Sequence, residues 1–300
     1  MPEVFSTIEA MRQWAGCVRR QGERLALVPT MGALHQGHLA LVAEARRRAS
    51  RVVVSIFVNP LQFAPAEDLS RYPRTLADDL DKLQQFGVEG VFHPAVKEMY
   101  PDGPQPTRVI VPAMSAVLCG RTRPTHFEGV ATVVTKLLHI VSPDLAVFGE
   151  KDWQQLAIIR RMVADLSFPV EILGVPIVRD EGGLALSSRN RYLAADEVEQ
   201  AHSLYRSLLY ARRLYEAGER HKWRLLDAAT QILEQAGLSP EYVELVHPES
   251  LKSSPDILDG PAVLALAVYV GRARLIDNIK LGNTSALSAY TALDEGDDGG

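Results

Sequence analysis

Apolar runs alternate with amphipathic segments throughout the first half of the chain. Residues 25–30 and 52–58 are nearly continuous apolar runs, as is typical of strands buried on both faces. Leucines at helical spacing predict a helix that is capped by Thr75, with Asp78 three residues later, and ends at Gly87. The other predicted elements are helices at 39–49, 130–141 and 153–166 and strands at 88–92, 145–148 and 170–173. Strands that alternate with helices indicate a parallel sheet flanked by helices.

The second half of the chain has a different order of elements. Two predicted helices, at 196–217 and 222–236, are followed by strand-like runs at 242–246, 262–270 and 274–281. Helices followed by strands are typical of an α+β unit. We therefore predict an α/β protein in which a doubly wound parallel sheet is joined to a second, smaller α+β domain.

The boundary between the two predicted domains lies near residues 176–183. We divide the chain into a first domain at 1–177 and a second at 178–282. Residues 283–300 end in an acidic, glycine-rich stretch, which predicts a flexible acidic tail.

Composition and charge exclude several classes of protein. The 300 residues are 47% hydrophobic and 23% charged, as in ordinary globular chains. A net charge of −5 argues against broad contact with nucleic acid. Cys17 and Cys119 cannot form a disulfide framework or a cysteine-rich zinc site. The longest apolar run, 262–270, is far shorter than the ~20 residues of a membrane span, and the N-terminus lacks a signal-peptide pattern, so we expect a cytoplasmic protein without membrane contact.

The richest chemical segment is PTMGALHQGH at residues 29–38, between a predicted strand and a predicted helix. Ligands bind at this position in open α/β sheets. Gly32 and Gly37 allow the backbone to approach a ligand, and the helix beginning near His38 directs free N–H groups to the same place. His35 and His38 can share one face of the first turn and donate to phosphate oxygens. The segment therefore predicts a pyrophosphate site.

Two other interpretations of this segment stay open. A zinc site needs a third ligand, and no nearby cysteine or carboxylate is an obvious one. A turn that packs for structural reasons needs no ligand at all. The segment lacks both the G-x-G-x-x-G and the P-loop motif, so a nucleotide would be held in another way.

Three further polar segments carry candidate chemistry. In FGEKDWQQ at 148–155, Lys151 can hold a phosphate, and Asp152 can cap a helix or help place Mg²⁺. LSSRN at 186–190 offers two hydroxyls and a guanidinium as a phosphate clamp. Gln62, after the second strand, is an uncharged group suited to a small hydroxy acid. Taken singly, a capped turn, a solvated linker and a surface turn explain these segments equally well.

All four segments fall at the carboxyl ends of predicted strands or at the domain junction. Parallel strands end at one edge of their sheet, so folding would bring the four segments together. That convergence favours a single nucleotide site over four unrelated turns.

These blocks resemble the pantoate–β-alanine ligase family. The resemblance extends over residues 25–281, and its blocks recur in the family's order. The blocks are PTMGALHQGH at 29–38, SIFVNPLQF at 55–63, YPRTLADDL at 72–80, THFEGVATVVTKL at 125–137, FGEKDWQQL at 148–156 and LSSRNRYL at 186–193. The H-x-G-H element alone marks only the wider nucleotidyltransferase superfamily.

The resemblance implies an ATP-dependent ligase of pantothenate biosynthesis. Members of the family join (R)-pantoate to β-alanine through a pantoyl adenylate and release AMP and pyrophosphate. The resemblance further implies a Rossmann-like first domain that binds ATP and pantoate, a C-terminal lid domain, Mg²⁺ dependence and a homodimer in the cytoplasm.

The resemblance also assigns roles to residues. His38 would be the proton-donating catalytic residue, helped at the phosphates by His35, Lys151 and Arg189. The implied ATP-binding residues are Met31, Gly32, Ala33, Leu34, His35, Gln36, Gly37, His38, Gly149, Glu150, Lys151, Asp152, Val178, Leu186, Ser187, Ser188 and Arg189. The implied acid-binding residues are Gln62 and Gln155 for pantoate, with Gln62 also at β-alanine. Further candidates are Tyr72 and Arg123 beside the substrates and Asp78 and Asp79 for Mg²⁺ or positioning.

The chain departs from the family pattern at three positions. Gln36 stands where glutamate is common, Trp153 where tyrosine is frequent, and Leu186 where methionine is usual. Two other functions also stay open at this point. One is an adenylyltransferase acting on a phosphorylated substrate, and the other is a nucleotide sensor without turnover.

Overall fold

The computed structural model describes residues 1–63, 69, 72–103, 107–283 and the backbone of 289–290. A parallel sheet occupies the first half of the chain and an antiparallel sheet the second. This is the predicted order of fold classes. The two sheets meet at the predicted functional edge, so only the parts that position this edge are described in detail.

The first sheet is built from short, buried strands. They are β1 (Glu3–Phe5), β2 (Leu25–Thr30), β3 (Arg51–Ile56), β4 (Gly90–Phe92), β5 (Leu145–Gly149) and β6 (Glu171–Val175). Their spatial order is β1-β4-β3-β2-β5-β6, and all these pairs are parallel. The chain leaves β2 toward β3 on one side and returns to β5 on the other. The switch point for ligand binding therefore lies between the carboxyl ends of β2 and β5.

Helices cover both faces of this sheet. They are α1 (Ile8–Arg20), α2 (Gln36–Arg48), α3 (Leu76–Gln85), α4 (Val96–Met99), α5 (Pro112–Ser115), α6 (Cys119–Thr122), α7 (His126–Val141) and α8 (Trp153–Asp165). Successive strand residues face opposite layers. Leu27 packs in the layer with α1, α7 and α8, whereas Val28 packs in the layer with α2 and α3. This explains the nearly continuous apolar strands.

The second domain packs two helices on an antiparallel sheet. Its elements are α9 (Ala195–Glu216), α10 (Lys222–Gln235), β7 (Pro240–Val246), β8 (Ala262–Val270) and β9 (Ala273–Leu281), in the order β7-β8-β9. Leu204, Leu225 and Leu266 are fully buried in its core. Across the described part of the chain, no helix has both the length and the apolar character that a membrane span requires.

Several elements were not predicted from the sequence. Strand β1 has only three residues, and α4, α5 and α6 have four each, too short for a periodic signal. Helix α1 was also missed, although Met11, Ala15 and Val18 form its buried stripe and Thr7 caps it. Within the predicted tail, a last strand, β10 (Ala289–Tyr290), pairs antiparallel with β6, and the rest of the tail after residue 283 lies outside the described residues.

Candidate active site

A cleft opens where β2 and β5 end and the second domain begins. Its inner cavity of about 230 Å³ is continuous in lining with an outer cavity of about 750 Å³ between the domains. The predicted residues that line the inner cavity are Met31, His35, Gly37, His38, Gln62, Tyr72, Arg123, Gly149, Lys151, Asp152, Gln155, Val178, Leu186, Ser187, Ser188 and Arg189. Folding therefore brings all four predicted segments to one place.

The side chains of His35 and His38 form a reciprocal cap at the N-terminus of α2. His35 is the N-cap residue, and its Nδ1 accepts from the Gly37 amide at 3.1 Å. His38 Nδ1 in turn accepts from the His35 amide at 3.4 Å, and the two rings lie 4.1 Å apart. Because both Nδ1 atoms accept, each neutral ring carries its proton on Nε2. The first turn of α2 thus holds two imidazole N–H donors at the cleft.

Both histidines are neutral in the free protein. Burial lowers the pKa of His35 to about 4 and of His38 to about 3, and the Lys151 ammonium acts in the same direction. Because desolvation penalises the charged ring, the pair offers N–H donors rather than positive charge in the free site. A bound polyphosphate would favour protonation, since a nearby anion stabilises the charged form.

The loop before the histidines is fastened from α3. Asp79 is fully buried, and its carboxylate accepts from the amides of Ala33 at 2.9 Å and Leu34 at 2.7 Å. Thr75 is the N-cap residue of α3, as predicted, but its side chain makes no cap hydrogen bond, and its hydroxyl donates to Asp79 instead. Lys82 adds a bond from its ammonium to the Leu34 carbonyl at 2.8 Å. These contacts support positioning as the role of Asp79.

Two glycines of this loop also lie close to neighbouring side chains. Gly32 has φ +82°, and a Cβ there would lie 3.1 Å from Ile56 and 3.2 Å from Asp79. A Cβ on Gly37 would lie 2.9 Å from the ring of His35. Both glycines therefore allow a close approach to the protein's own side chains, and the approach of Gly37 to a ligand stays a prediction, since Gly37 lines the inner cavity.

Gln62 is oriented by a residue that the sequence analysis missed. The buried Asn59 donates from Nδ2 to Gln62 Oε1 at 3.2 Å and to the Gly129 carbonyl at 3.0 Å, and accepts from the Tyr100 hydroxyl at 2.9 Å. The side-chain oxygen of Gln62 is thereby engaged, and the side-chain NH₂ group of Gln62 lies 3.1 Å from Met31 Sδ. Gln62 therefore presents donors to the cavity. Its position in the NPLQF block was the available signal for Asn59.

Helix α7 forms an apolar wall that the sequence analysis also missed. Its cavity-lining residues are Val130, Val133, Val134 and Leu137. Gly129 lets this helix approach the turn at 60–62, because a Cβ there would overlap the Leu61 carbonyl and lie 2.6 Å from the Gln62 amide nitrogen. His126 Nδ1 lies 2.9 Å from the backbone carbonyl oxygen of Gln62. The apolar face of α7 in the sequence indicated burial but not which cavity it lines.

The second phosphate segment forms a 3₁₀ turn between β5 and α8. Lys151 and Asp152 line the cleft, with 4.0 Å between the ammonium and the carboxylate. Asp152 makes no side-chain cap to α8, so the predicted capping role is wrong. Glu150 is turned away from both cavities, and its carboxylate pairs with Lys280 of β9 at 2.8 Å.

The predicted clamp is the far end of a small hairpin. Arg179 and Ala185 form an antiparallel bridge, and the Leu186 amide donates to the Val178 carbonyl at 2.9 Å. Ser187 then caps the short turn that carries Arg189. The hairpin brings Val178 and the clamp to the cleft, and their contact with ATP stays a prediction.

Some predicted site residues do not reach the inner cavity. Gly32, Ala33, Leu34 and Asp79 lie behind the histidine turn, whereas Gln36 and Asp78 are exposed. Among the residues with described side chains, no group of three or more metal-ligating His, Cys, Asp or Glu residues occurs. The zinc interpretation of the histidine pair therefore has no support in the structure.

The arrangement can bind a polyphosphate and a small acid side by side. The lining of the inner cavity includes two imidazole donors, the Lys151 ammonium and the guanidinium groups of Arg123 and Arg189. It also includes the side-chain amides of Gln62 and Gln155 and the valines of α7. Nothing in the assembled set resembles an activated side-chain nucleophile, so the chemistry this site favours is transfer between two bound ligands.

Comparisons with known proteins agree with this geometry. A family model described as pantoate-beta-alanine ligase matches residues 3–280. The chain is 52% identical over 277 residues to the pantothenate synthetase of Pseudomonas paraeruginosa, covering 92% of this chain and 97% of that protein.

Two solved structures extend the agreement to three dimensions. The pantothenate synthetase of Thermus thermophilus superposes with a TM-score of 0.88 at 46% identity, covering 94% of this chain and 100% of the other. The pantoate-beta-alanine ligase of Francisella tularensis, complexed with beta-gamma ATP and beta-alanine, gives 0.77 at 33% identity, covering 93% and 97%. The resemblance seen in the sequence blocks is thus confirmed over nearly the whole chain, which belongs to the pantoate–β-alanine ligase family.

Proposed function

We propose that this chain joins pantoate to β-alanine in two steps at the cleft between β2 and β5. ATP first activates the pantoate carboxylate as a pantoyl adenylate, and pyrophosphate leaves. The β-alanine amine then attacks the acyl carbon, giving pantothenate and AMP. The Francisella tularensis ligase complexed with beta-gamma ATP and beta-alanine supports ATP and β-alanine as ligands of this site.

One observation carries the proposal. The predicted phosphate donors and the predicted pantoate amides line the same inner cavity. Pantoate carries a carboxylate, two hydroxyls and two methyl groups on one carbon. Gln62 and Gln155 suit the polar groups, and the valine wall of α7 suits the methyl groups. A carboxylate placed between these two sets lies next to the phosphates it has to attack.

In the first step, a carboxylate oxygen bonds to the α-phosphorus while the bond to pyrophosphate breaks. Negative charge then grows on the leaving pyrophosphate. His35 and His38 donate from Nε2, and Lys151 and Arg189 contribute fixed positive charge, so these groups stabilise the leaving group without first reorganising. Lys151 and Arg189 come from different domains, which makes the first step depend on both.

In the second step, the amine nitrogen bonds to the acyl carbon while the acyl–oxygen bond to AMP breaks. The attacking amine keeps one hydrogen in the new amide and loses the other as a proton to solvent, while the phosphate of AMP takes up the electron pair of the broken bond. Water competes for the same mixed anhydride. Residues 186–189 of the second domain line the cavity, and the exclusion of water there would protect the intermediate.

We include Mg²⁺ in the proposal, and the residues present fit it. Mg²⁺ at nucleotides is usually held by one or two carboxylates together with phosphate oxygens and water. Asp152 supplies a cleft-lining carboxylate beside Lys151, whereas the Asp79 oxygens are engaged by the loop. The metal would offset phosphate charge. The proposal further includes a cytoplasmic homodimer, which the family resemblance implies.

The two competing functions have weaker support. The Arg123 guanidinium donates to the backbone carbonyl of Gln62 at 3.4 Å, so the cavity lining by itself does not argue against an adenylyltransferase for a phosphorylated substrate. A sensor without turnover would not need donors from both domains around one polyphosphate. Family membership over residues 3–280 also favours the ligase.

Isotope exchange tests the order of the two steps. With pantoate, ATP and Mg²⁺ but without β-alanine, the protein should incorporate labelled pyrophosphate into ATP. AMP release should then require β-alanine. If exchange strictly required β-alanine, the stepwise route would be replaced by a concerted one, and if AMP release ignored β-alanine, the ligase assignment itself would be overturned.

A further inference from the structure

The turn that carries Lys151 is held by the second domain. Asn278 of β9 is 5% exposed, and its Nδ2 donates to the carbonyls of Glu150 at 2.9 Å and Lys151 at 3.0 Å. Lys280, two residues further along the strand, pairs with the Glu150 carboxylate at 2.8 Å. One strand of the second domain thus binds two backbone oxygens of the 3₁₀ turn at Glu150–Asp152 and the carboxylate of Glu150.

The residue before Asn278 holds the opposite wall of the cleft. Asp277 is 2% exposed and accepts two bonds from Arg179, at 2.6 and 2.9 Å. Arg179 also donates to the Gly183 carbonyl at 2.9 Å, and its guanidinium lies 3.7 Å from the ring centre of Tyr205. Burial raises the pKa of Asp277, while the Arg179 guanidinium opposes that rise. The ion pair therefore fixes the hairpin that leads into the clamp.

Adjacent strand residues point to opposite faces, which lets one dipeptide reach both walls. Asn278 reaches the Lys151 turn and Asp277 reaches the hairpin of the clamp. These two phosphate segments are far apart in the sequence and belong to different domains. Their spacing is set at one point of β9.

We propose that Asp277 and Asn278 are positioning residues for adenylation, which set the distance between the Lys151 turn and the Ser187–Arg189 clamp. This inference rests on the proposed phosphate role of Lys151. Neither residue needs to touch ATP. Their contribution is geometric, since displacing a phosphate-binding group by 1 Å can cost about 10²-fold in rate.

Asn278→Ala removes both donors to the turn and tests the proposal directly. We expect pyrophosphate exchange with pantoate alone to fall by about 10- to 100-fold. The reaction of preformed pantoyl adenylate with β-alanine should be little changed, because that half-reaction no longer uses the leaving pyrophosphate. Asn278→Asp, which keeps the size but places a carboxylate against two carbonyls, should be at least as impaired in exchange.

Two controls separate positioning from folding. Lys222→Met removes a buried cation that bonds Ser253 and Ser254 in the same domain, far from the cleft in its contacts. It should lower thermal stability and leave the ratio of the two half-reactions unchanged. If Asn278→Ala does not fold, Asn278→Ser is measured in the same way.

Each outcome decides one question. Equal losses in both half-reactions for Asn278→Ala, or no loss in exchange, would overturn the positioning role. Lys151→Ala is run in parallel as the reference. If Lys151→Ala left exchange intact, the proposed function of that lysine would fail first, and the inference would fall with it for a distinguishable reason.

Discussion

The histidine turn and the Lys151 turn occupy equivalent places but are supported in opposite ways. Each follows one of two adjacent parallel strands, β2 and β5, and each precedes a helix. The histidine turn is bound from within its own domain by Asp79 and Lys82. The Lys151 turn is bound from the second domain by Asn278 and Lys280.

The histidine turn and the Lys151 turn therefore differ in whether their support needs the second domain. The hydrogen bonds that hold the imidazole donors and their turn lie within the first domain. The ammonium of Lys151 depends on the docking of β9. The position of the Lys151 turn therefore depends on contact between the two domains, whereas the hydrogen bonds of the histidine turn do not.

Replacing His38 should give the largest effect. His38→Ala removes an Nε2 donor and the cap on the His35 amide, and we expect kcat to fall by at least ~10², the usual loss for one preorganised donor. Steady-state turnover of the folded variant measures it. His139→Ala, at an exposed position of α7, is the matched control, and near-normal turnover in His38→Ala would remove His38 from the mechanism.

Asp79→Asn breaks the internal support of the histidine turn. The amide cannot accept well from both Ala33 and Leu34, so we expect the free energy of unfolding to fall by about 1–3 kcal/mol. Pyrophosphate exchange should fall as well. Denaturant unfolding and pyrophosphate exchange are measured for Asp79→Asn and for the control Asp78→Asn, since the neighbouring Asp78 side chain is exposed. Equal behaviour of the two variants would show that α3 does not support the loop.

Acid unfolding tests whether the His35–His38 pair is neutral in the folded protein. Burial lowers the pKa of His38 from 6.5 to about 3, so the unfolded chain binds more protons in that window and stability falls as the pH falls. One such group contributes at most ~1.4 kcal/mol per pH unit. His38→Gln should therefore lose less stability than the parent between pH 6.5 and 4. Denaturant titrations at these two pH values measure it, and His139→Gln should behave like the parent.

The smallest effect is expected at Gln36. Its side chain is exposed and does not line the inner cavity, although it sits inside the H-x-G-H block. Gln36→Glu, which restores the residue common in the family, should leave kcat and the KM for ATP unchanged. A clear change in either would mean that charge at this position acts on the phosphates from outside the cavity.

Much of the fold could be predicted because local pattern and burial agree. The strand at 262–270 was predicted to the residue, since its apolar run is bounded by turn residues on both sides. Strand β1 and the short helices α4 to α6 were missed because three or four residues establish no period. They owe their structure to packing against elements distant in sequence.

The site divides in the same manner. Residues that would contact ligand stand in dense polar blocks, and those blocks predicted the cleft. Residues that support them stand alone in apolar surroundings. Asn59 and Asn278 each act through a partner that only the fold reveals, Gln62 in one case and the Lys151 turn in the other. Glu150 shows the converse, because it lies inside a block and faces away from the cavity.

The bare α-carbon of Gly129 constrains any attempt to redesign the substrate range. The backbone of α7 already packs against Leu61 and Gln62, and a side chain at position 129 would overlap their backbone atoms. Substituting Gly129 is therefore not a way to enlarge the cavity. New room has to come from the wall itself. Trimming Val133 or Val134, which line the cavity away from this contact, is the direct route to accepting hydroxy acids bulkier than pantoate.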